Sequence, residues 1–72
     1  MFSKELFGQR LKSVRKAAKE KQEDLAKVID VSKSQISEME NGNNSTTVEK
    51  VALICEHYGV SADYLLGLKD EQ

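Results

Sequence analysis

The 72-residue chain has no proline, no tryptophan, one cysteine, two tyrosines and two phenylalanines. A lone cysteine, Cys55, excludes an internal disulfide, so packing must hold the fold together. Without proline, helix ends must come from glycine, polar caps and left-handed turns. Long apolar runs are missing too. The longest, Val51-Ala52-Leu53-Ile54-Cys55, is far short of the roughly 20 residues that cross a bilayer. The first residues, Met1-Phe2-Ser3-Lys4-Glu5, carry no apolar core of a secretory signal. A cytoplasmic location is expected, and the Asn44-Ser45-Thr46 glycosylation sequon carries no weight there.

The chemistry of catalysis is equally sparse. His57 is the only histidine, and with no cysteine pair it makes no metal-ligand set. The serines have no histidine base in a recognisable motif, and there is no glycine-rich phosphate loop. Neither an enzyme nor a cofactor is expected.

Apolar residues make up 39% and charged residues 32% of the chain, a balance that favours a folded soluble domain over disorder. One domain fits the length, over residues 1–68 with a short polar tail at 69–72. Its stability should be about 4–10 kcal/mol. The net charge of −1 conceals a gradient. Residues 1–21 hold seven bases and two acids, and residues 22–42 and 43–72 each hold two bases and five acids. One basic face can meet an anion although the total is acidic.

Periodicity predicts five helices and no strand, an all-α fold. Over 3–19, Phe7, Leu11, Val14 and Ala18 form one stripe, with Ser3 as N-cap and Glu5 in the first turn. A second helix covers 23–29, with Leu25 and Ile29 on one face. Asp30-Val31-Ser32 reads as a turn, since aspartate tolerates left-handed backbone and Ser32 can cap the next helix. The third runs from Lys33 to Asn41 and stops at Gly42. The fourth begins after Thr46 or Thr47, buries Val48, Val51, Ala52 and Cys55 with Ile54 beside them, and ends at Gly59. The fifth has Ser61 as cap, apolar Tyr64, Leu65 and Leu66, and Gly67 as its end. No glycine separates helices one and two, so one continuous helix over 3–29 in a coiled-coil stem is the structural alternative.

On a wheel of about 100° per residue, Ile36, Met39 and Glu40 share one side of helix three. Ser34, Ser37, Glu38 and Asn41 lie on the other. Helix, short turn, helix with a small polar outer face is the helix-turn-helix arrangement. Geometry alone also fits an ordinary solvated face of a helical bundle.

The residues narrow the choice. Gln22-Glu-Asp-Leu25-Ala26-x-x-Ile29-x-Val31-Ser32-x-Ser34-x-Ile36-Ser37-x-x-Glu40-Asn41-Gly42 resembles the helix-turn-helix of the lambda-repressor-like, or XRE/Cro-type, DNA-binding family. Phe7-Gly8-x-Arg10-Leu11-x-x-x-Arg15 resembles its first helix, and Tyr58-Gly-Val-Ser61-x-Asp63-Tyr64-Leu65-Leu66-Gly67 its last. The likeness spans about residues 6–67. It implies a compact five-helix domain that binds double-stranded DNA. Base contacts would come from Lys33, Ser34, Ser37 and Glu38. Backbone contacts would come from Lys19, Lys21, Gln22, Asn41, Asn43, Thr46 and Thr47. Arg15 and Glu40 would form an ion pair locking helix three onto helix one.

Departures from the family pattern are equally informative. Lys19, Glu20 and Lys21 stand where a glycine, an apolar residue and a serine or threonine cap are usual. Asp30 replaces the glycine of the helix two–three turn, and Thr46 a common proline. Glu38 stands where a base or glutamine is usual, and can accept a hydrogen bond from cytosine N4. The expected function is a bacterial or prophage repressor that binds a palindromic operator as a homodimer through helix five and the tail. The rivals are an antitoxin, a restriction–modification controller, and a protein-interaction module that has lost DNA binding. A toxin or antirepressor is then the expected protein partner, and no membrane is involved.

Overall fold

The computed structural model describes residues 1–71, so Gln72 of the expected tail lies outside the described residues. Five helices run in order: α1 (Lys4–Ala17), α2 (Gln22–Ile29), α3 (Lys33–Glu40), α4 (Val48–Tyr58) and α5 (Ala62–Leu65). No strand occurs among the described residues. Three of the starts share one device. Ser3, Thr47 and Ser61 sit in extended backbone and accept the amides of Leu6, Lys50 and Tyr64 on their hydroxyl oxygens. Ser32 and Gln35 form a reciprocal box: Ser32 Oγ accepts from Gln35 N–H at 3.1 Å, and Gln35 Oε1 accepts from Ser32 N–H at 2.9 Å. Lys21, the residue before α2, has no side-chain acceptor to offer. Only half a box survives there, with Asp24 Oδ2 accepting from Lys21 N–H at 2.8 Å.

The single long helix does not form. Lys19 adopts φ 60°, and the chain turns out of α1 through Lys19 N–H to Lys16 O (2.9 Å) and Glu20 N–H to Arg15 O (3.2 Å). This is a Schellman closure with lysine where glycine is usual. A helix over 3–29 would be about 40 Å long at 1.5 Å per residue, longer than the molecule's greatest extent of 27 Å.

One core lies between the helices, built from Phe7, Leu11 and Val14 of α1, Leu25, Ala26 and Ile29 of α2, Ile36 and Met39 of α3, Val51 and Ile54 of α4, and Leu65 of α5. α1 and the end of α3 approach closely at Gly8. A Cβ there would stand 2.3 Å from Met39 O and 2.8 Å from Glu40 O. The end of α3 therefore rests on bare backbone, and any side chain at position 8 would lift it off.

Three apolar positions depart from expectation. Ala18 is exposed because α1 has already ended at Ala17. Val48 is 82% exposed and Ala52 is exposed, whereas Ile54 is wholly buried. α4 thus presents its Val51–Ile54 edge to the core, and Cys55 is half-buried at the margin. Apolar residues surround most of α4, so spacing alone did not choose the face. Burial raises the Cys55 thiol pKa.

Candidate nucleic-acid interface

The two-helix unit is fixed by its turn. α2 ends at Asp30 with φ 57°, Val31 N–H returns to Ala26 O at 3.0 Å, and Ser32 opens α3. Lys50, from α4, donates Nζ to the otherwise free Ile29 carbonyl at 2.8 Å, a cation at a helix C-terminus. No spacing or motif hints at that tie.

α3 docks by Ile36, Met39 and Glu40, all buried. Glu40 is only 6% exposed and Arg15 7%. The two are bidentate: Arg15 Nε donates to Glu40 Oε2 at 2.7 Å, and Nη2 to Oε1 at 3.0 Å. Arg15 Nη1 donates to Glu20 O at 2.7 Å. The hydrogen bond to Glu40 is the main cause of the raised Arg15 pKa, outweighing desolvation. Every buried side-chain nitrogen and oxygen among the described residues has a partner.

Gln22 joins this group. Its Nε2 donates to Glu40 Oε1 at 3.1 Å, so one amide hydrogen faces inward while another donor and the carbonyl remain. The start of α2 also holds Glu23 and Asp24, which compete with an outside anion for the helix dipole. Lys19 and Lys21 are exposed beside it. On α3, Lys33, Ser34 and Glu38 are exposed, and Ser37 is half-buried. Asn41, the α3 C-cap, and Asn43 are exposed. Asn43 Nδ2 lies 3.3 Å from Glu38 Oε2, a pairing that sequence reasoning missed.

A cleft of ≈ 450 Å³ separates α3 from the start of α4, walled by Val31, Gln35, Met39, Asn44, Ser45, Thr46, Thr47 and Lys50. Thr46 and Thr47 thus lie across from α3. Thr47 Oγ1 accepts from Lys50 N–H at 3.3 Å, which leaves its hydroxyl proton to donate outward.

Two further polar groups were not foreseen. Glu20 receives Tyr58 OH at 2.8 Å and lies 2.8 Å from His57 Nε2, so the loop after α1 is tied to the end of α4. Burial, then the bond to Glu20, raises the Tyr58 pKa. Arg10 Nη1 donates to Tyr64 O and Lys69 O, each at 2.6 Å, and its guanidinium lies 4.4 Å from the Tyr64 ring centroid. Both groups join residues more than 35 positions apart, beyond the reach of any spacing rule.

A family model described as helix-turn-helix matches residues 11–65. The chain belongs to the lambda-repressor-like helix-turn-helix family. It is 36% identical over 66 residues to YobD of Bacillus subtilis (strain 168), named an uncharacterized HTH-type transcriptional regulator; the match covers 92% of this chain and 59% of YobD. It is 31% identical over 62 residues to the antitoxin PezA of Streptococcus pneumoniae serotype 4, covering 86% of this chain and 39% of PezA. The chain thus spans less than two thirds of the length of either relative. Among solved structures, the P22 c2 repressor protein in complex with a synthetic operator superposes with a TM-score of 0.79 at 33% identity, over 85% of this chain and 92% of that one. The five-helix all-α fold is that of this family. No helix among the described residues is long and apolar enough to cross a membrane.

Proposed function

We propose that the chain is a sequence-specific double-stranded DNA-binding repressor of bacterial or prophage type. It places α3 in the major groove and acts as a homodimer on a palindromic operator. The observation that supports this reading best is the two-sidedness of α3. Ile36, Met39 and the Arg15-bound Glu40 lock one side to the core, while Lys33, Ser34 and Glu38 stand exposed on the other. A rigid short helix with a free polar face is what base readout requires.

In this reading Lys33, Ser34, Ser37 and Glu38 face base edges. Lys19, Lys21, Gln22, Asn41, Asn43, Thr46 and Thr47 hold the two flanking phosphate backbones. Donation by Gln22 to Glu40 supports the phosphate role of Gln22, because it fixes the side chain at the mouth of α2. Dimerisation would use α5 and the residues after it. Leu68 is 69% exposed, and an apolar cleft of ≈ 300 Å³ runs beside α5 between Phe2, Val48, Ala52 and Leu66.

Selection of bound sequences from random DNA at two salt concentrations tests the proposal. The expected result is an enriched two-fold-symmetric sequence, bound more weakly as salt rises. Absence of any enriched palindrome would refute it. The similarity to PezA favours a second reading, in which the same DNA-binding unit also holds a toxin. Recovery of a stable complex with the product of an adjacent gene is the outcome expected from that reading alone.

A further inference from the structure

The end of α3 closes through two backbone hydrogen bonds. Gly42 N–H donates to Met39 O at 3.2 Å, and Asn43 N–H to Glu38 O at 3.0 Å. With Gly42 at φ 82°, these are the paired bonds of a Schellman closure. The closure sets Asn43 beside the turn of helix that carries Glu38. Their side chains then meet, with Asn43 Nδ2 donating to Glu38 Oε2 at 3.3 Å. A carboxylate only accepts, so the amide must present its nitrogen here. Glu38 Oε1 has no hydrogen-bond partner among the described residues, and both residues are exposed on the polar side of α3.

We infer that Asn43 is a specificity-determining positioning residue, which holds one Glu38 oxygen so that the other is aimed as an acceptor for an exocyclic base amine. The inference rests on the DNA-reading role proposed for α3 and assigns Asn43 a task different from phosphate contact. Glutamate has three rotatable side-chain bonds, and holding one carboxylate oxygen in the free protein lowers the ordering cost of binding. The chemistry chooses the base. Cytosine N4 and adenine N6 offer donors in the major groove, whereas guanine O6 and N7 and thymine O4 offer acceptors that a carboxylate repels. The pair thus selects an amine and rejects the alternatives.

The two roles for Asn43 separate cleanly. Loss of a phosphate contact weakens all sequences alike, and loss of a positioning contact alters preference at one base pair. The test is selection from one random DNA library with the parent, Glu38→Ala, Asn43→Ala and Asn43→Asp, each first shown by thermal melting to fold. The backbone bond from position 43 to Glu38 O survives in every variant. Glu38→Ala should erase the preference at one base pair in each half-site. Asn43→Ala should reduce the preference at that same pair by about fivefold or more. The salt dependence should be unaltered, since no charge is lost. Asn43→Asp sets a second carboxylate against Glu38 and should reduce that preference at least as far.

Uniform weakening by Asn43→Ala, or a preference at that pair kept within about twofold, overturns the inference while leaving the DNA-reading role intact. A parent that enriches nothing, or a Glu38→Ala variant with unaltered preference, refutes the reading role itself and the inference with it. Those two failures appear before the Asn43 variants are compared.

Discussion

Replacing Arg15 with alanine should come close to unfolding the protein. The guanidinium makes three hydrogen bonds, at 2.7 and 3.0 Å to Glu40 and 2.7 Å to Glu20 O. Without it, the Glu40 side chain, 1% exposed, keeps only the Gln22 amide at 3.1 Å. A carboxylate in that position has lost its counter-charge. Breaking one side of a buried pair costs about 3–5 kcal/mol, against a total stability of about 4–10 kcal/mol for a chain of this length. At about 4–8 °C per kcal/mol, the melting temperature should fall by at least about 12 °C. Melting followed by circular dichroism measures it directly, with urea titration as a check. The double variant Arg15→Met, Glu40→Leu should recover most of the loss, because it leaves no lone charge and fills the space. A single variant that melts within about 4 °C of the parent would sink the account, as would a double variant no more stable than the single.

Three smaller perturbations concern particular side chains. Lys19→Gly relieves left-handed strain at φ 60° and should stabilise the fold by about 0.5–1 kcal/mol. In the proposed DNA complex it should also flatten the slope of log binding constant against log salt by about 0.9. Unchanged urea midpoints or an unchanged slope would count against the respective role. Ile54→Ala, at a wholly buried site, should cost about 2–5 kcal/mol, whereas Val48→Ala at 82% exposure should stay within about 0.5 kcal/mol; equal costs would mean that α4 docks by another face. The Tyr58 phenol is held neutral in the fold by burial and by donation to Glu20, so its pKa lies above the usual 10.0. The stabilisation is fully present below about pH 10 and is lost as pH rises beyond it, where the unfolded chain gives up that proton first. Urea midpoints of the parent should therefore fall toward those of Tyr58→Phe as pH rises from about 10 to about 12, and a constant gap would contradict this.

Helix ends were legible in the sequence because their causes are local. Ser3, Ser32, Thr47 and Ser61 each bond an amide three residues on, and Gly42, Gly59 and Gly67 take the positive φ that ends a helix. The break after Lys19 was marked in the sequence only by the acidic start at Glu23 and Asp24, because propensity alone favours continuing the helix. The inward turn of Glu40 was visible on the wheel, and the resemblance named Arg15 opposite it. What stayed hidden was tertiary. Which edge of α4 meets the core depends on where α1, α2 and α5 lie. Arg10 with Tyr64 and Lys69, Glu20 with His57 and Tyr58, and Lys50 with Ile29 depend on chain paths that no periodicity encodes. Asn43 and Glu38 are five residues apart, yet their meeting required the closure at Gly42.

These ties also change what the net charge of −1 means for an anionic partner. Glu40 is spent on Arg15, Asp24 on the Lys21 amide, Glu20 on Tyr58 and His57, and Glu38 in part on Asn43. Among the cations, Arg15, Arg10 and Lys50 are likewise committed to the fold. The proposed interface is left with Lys19, Lys21 and Lys33 exposed, against exposed Glu23, Asp24 and Glu38, since a bond from a neutral amide leaves Asp24 charged. Cations and acids balance there. Each neutralised phosphate contributes about −0.9 to the salt slope, so each module should show a slope nearer −3 than −6, set by the lysines Lys19, Lys21 and Lys33 of the proposed interface. Neutral donors must then supply much of the affinity: the Gln22 amide, the Thr46 and Thr47 hydroxyls, and the first amides of α2 and α4. Such contacts are short and directional, and they fail when the helices shift. Binding through the proposed interface, with no cationic excess, would therefore depend on the rigidity that Gly8, Arg15 and Glu40 give to α3.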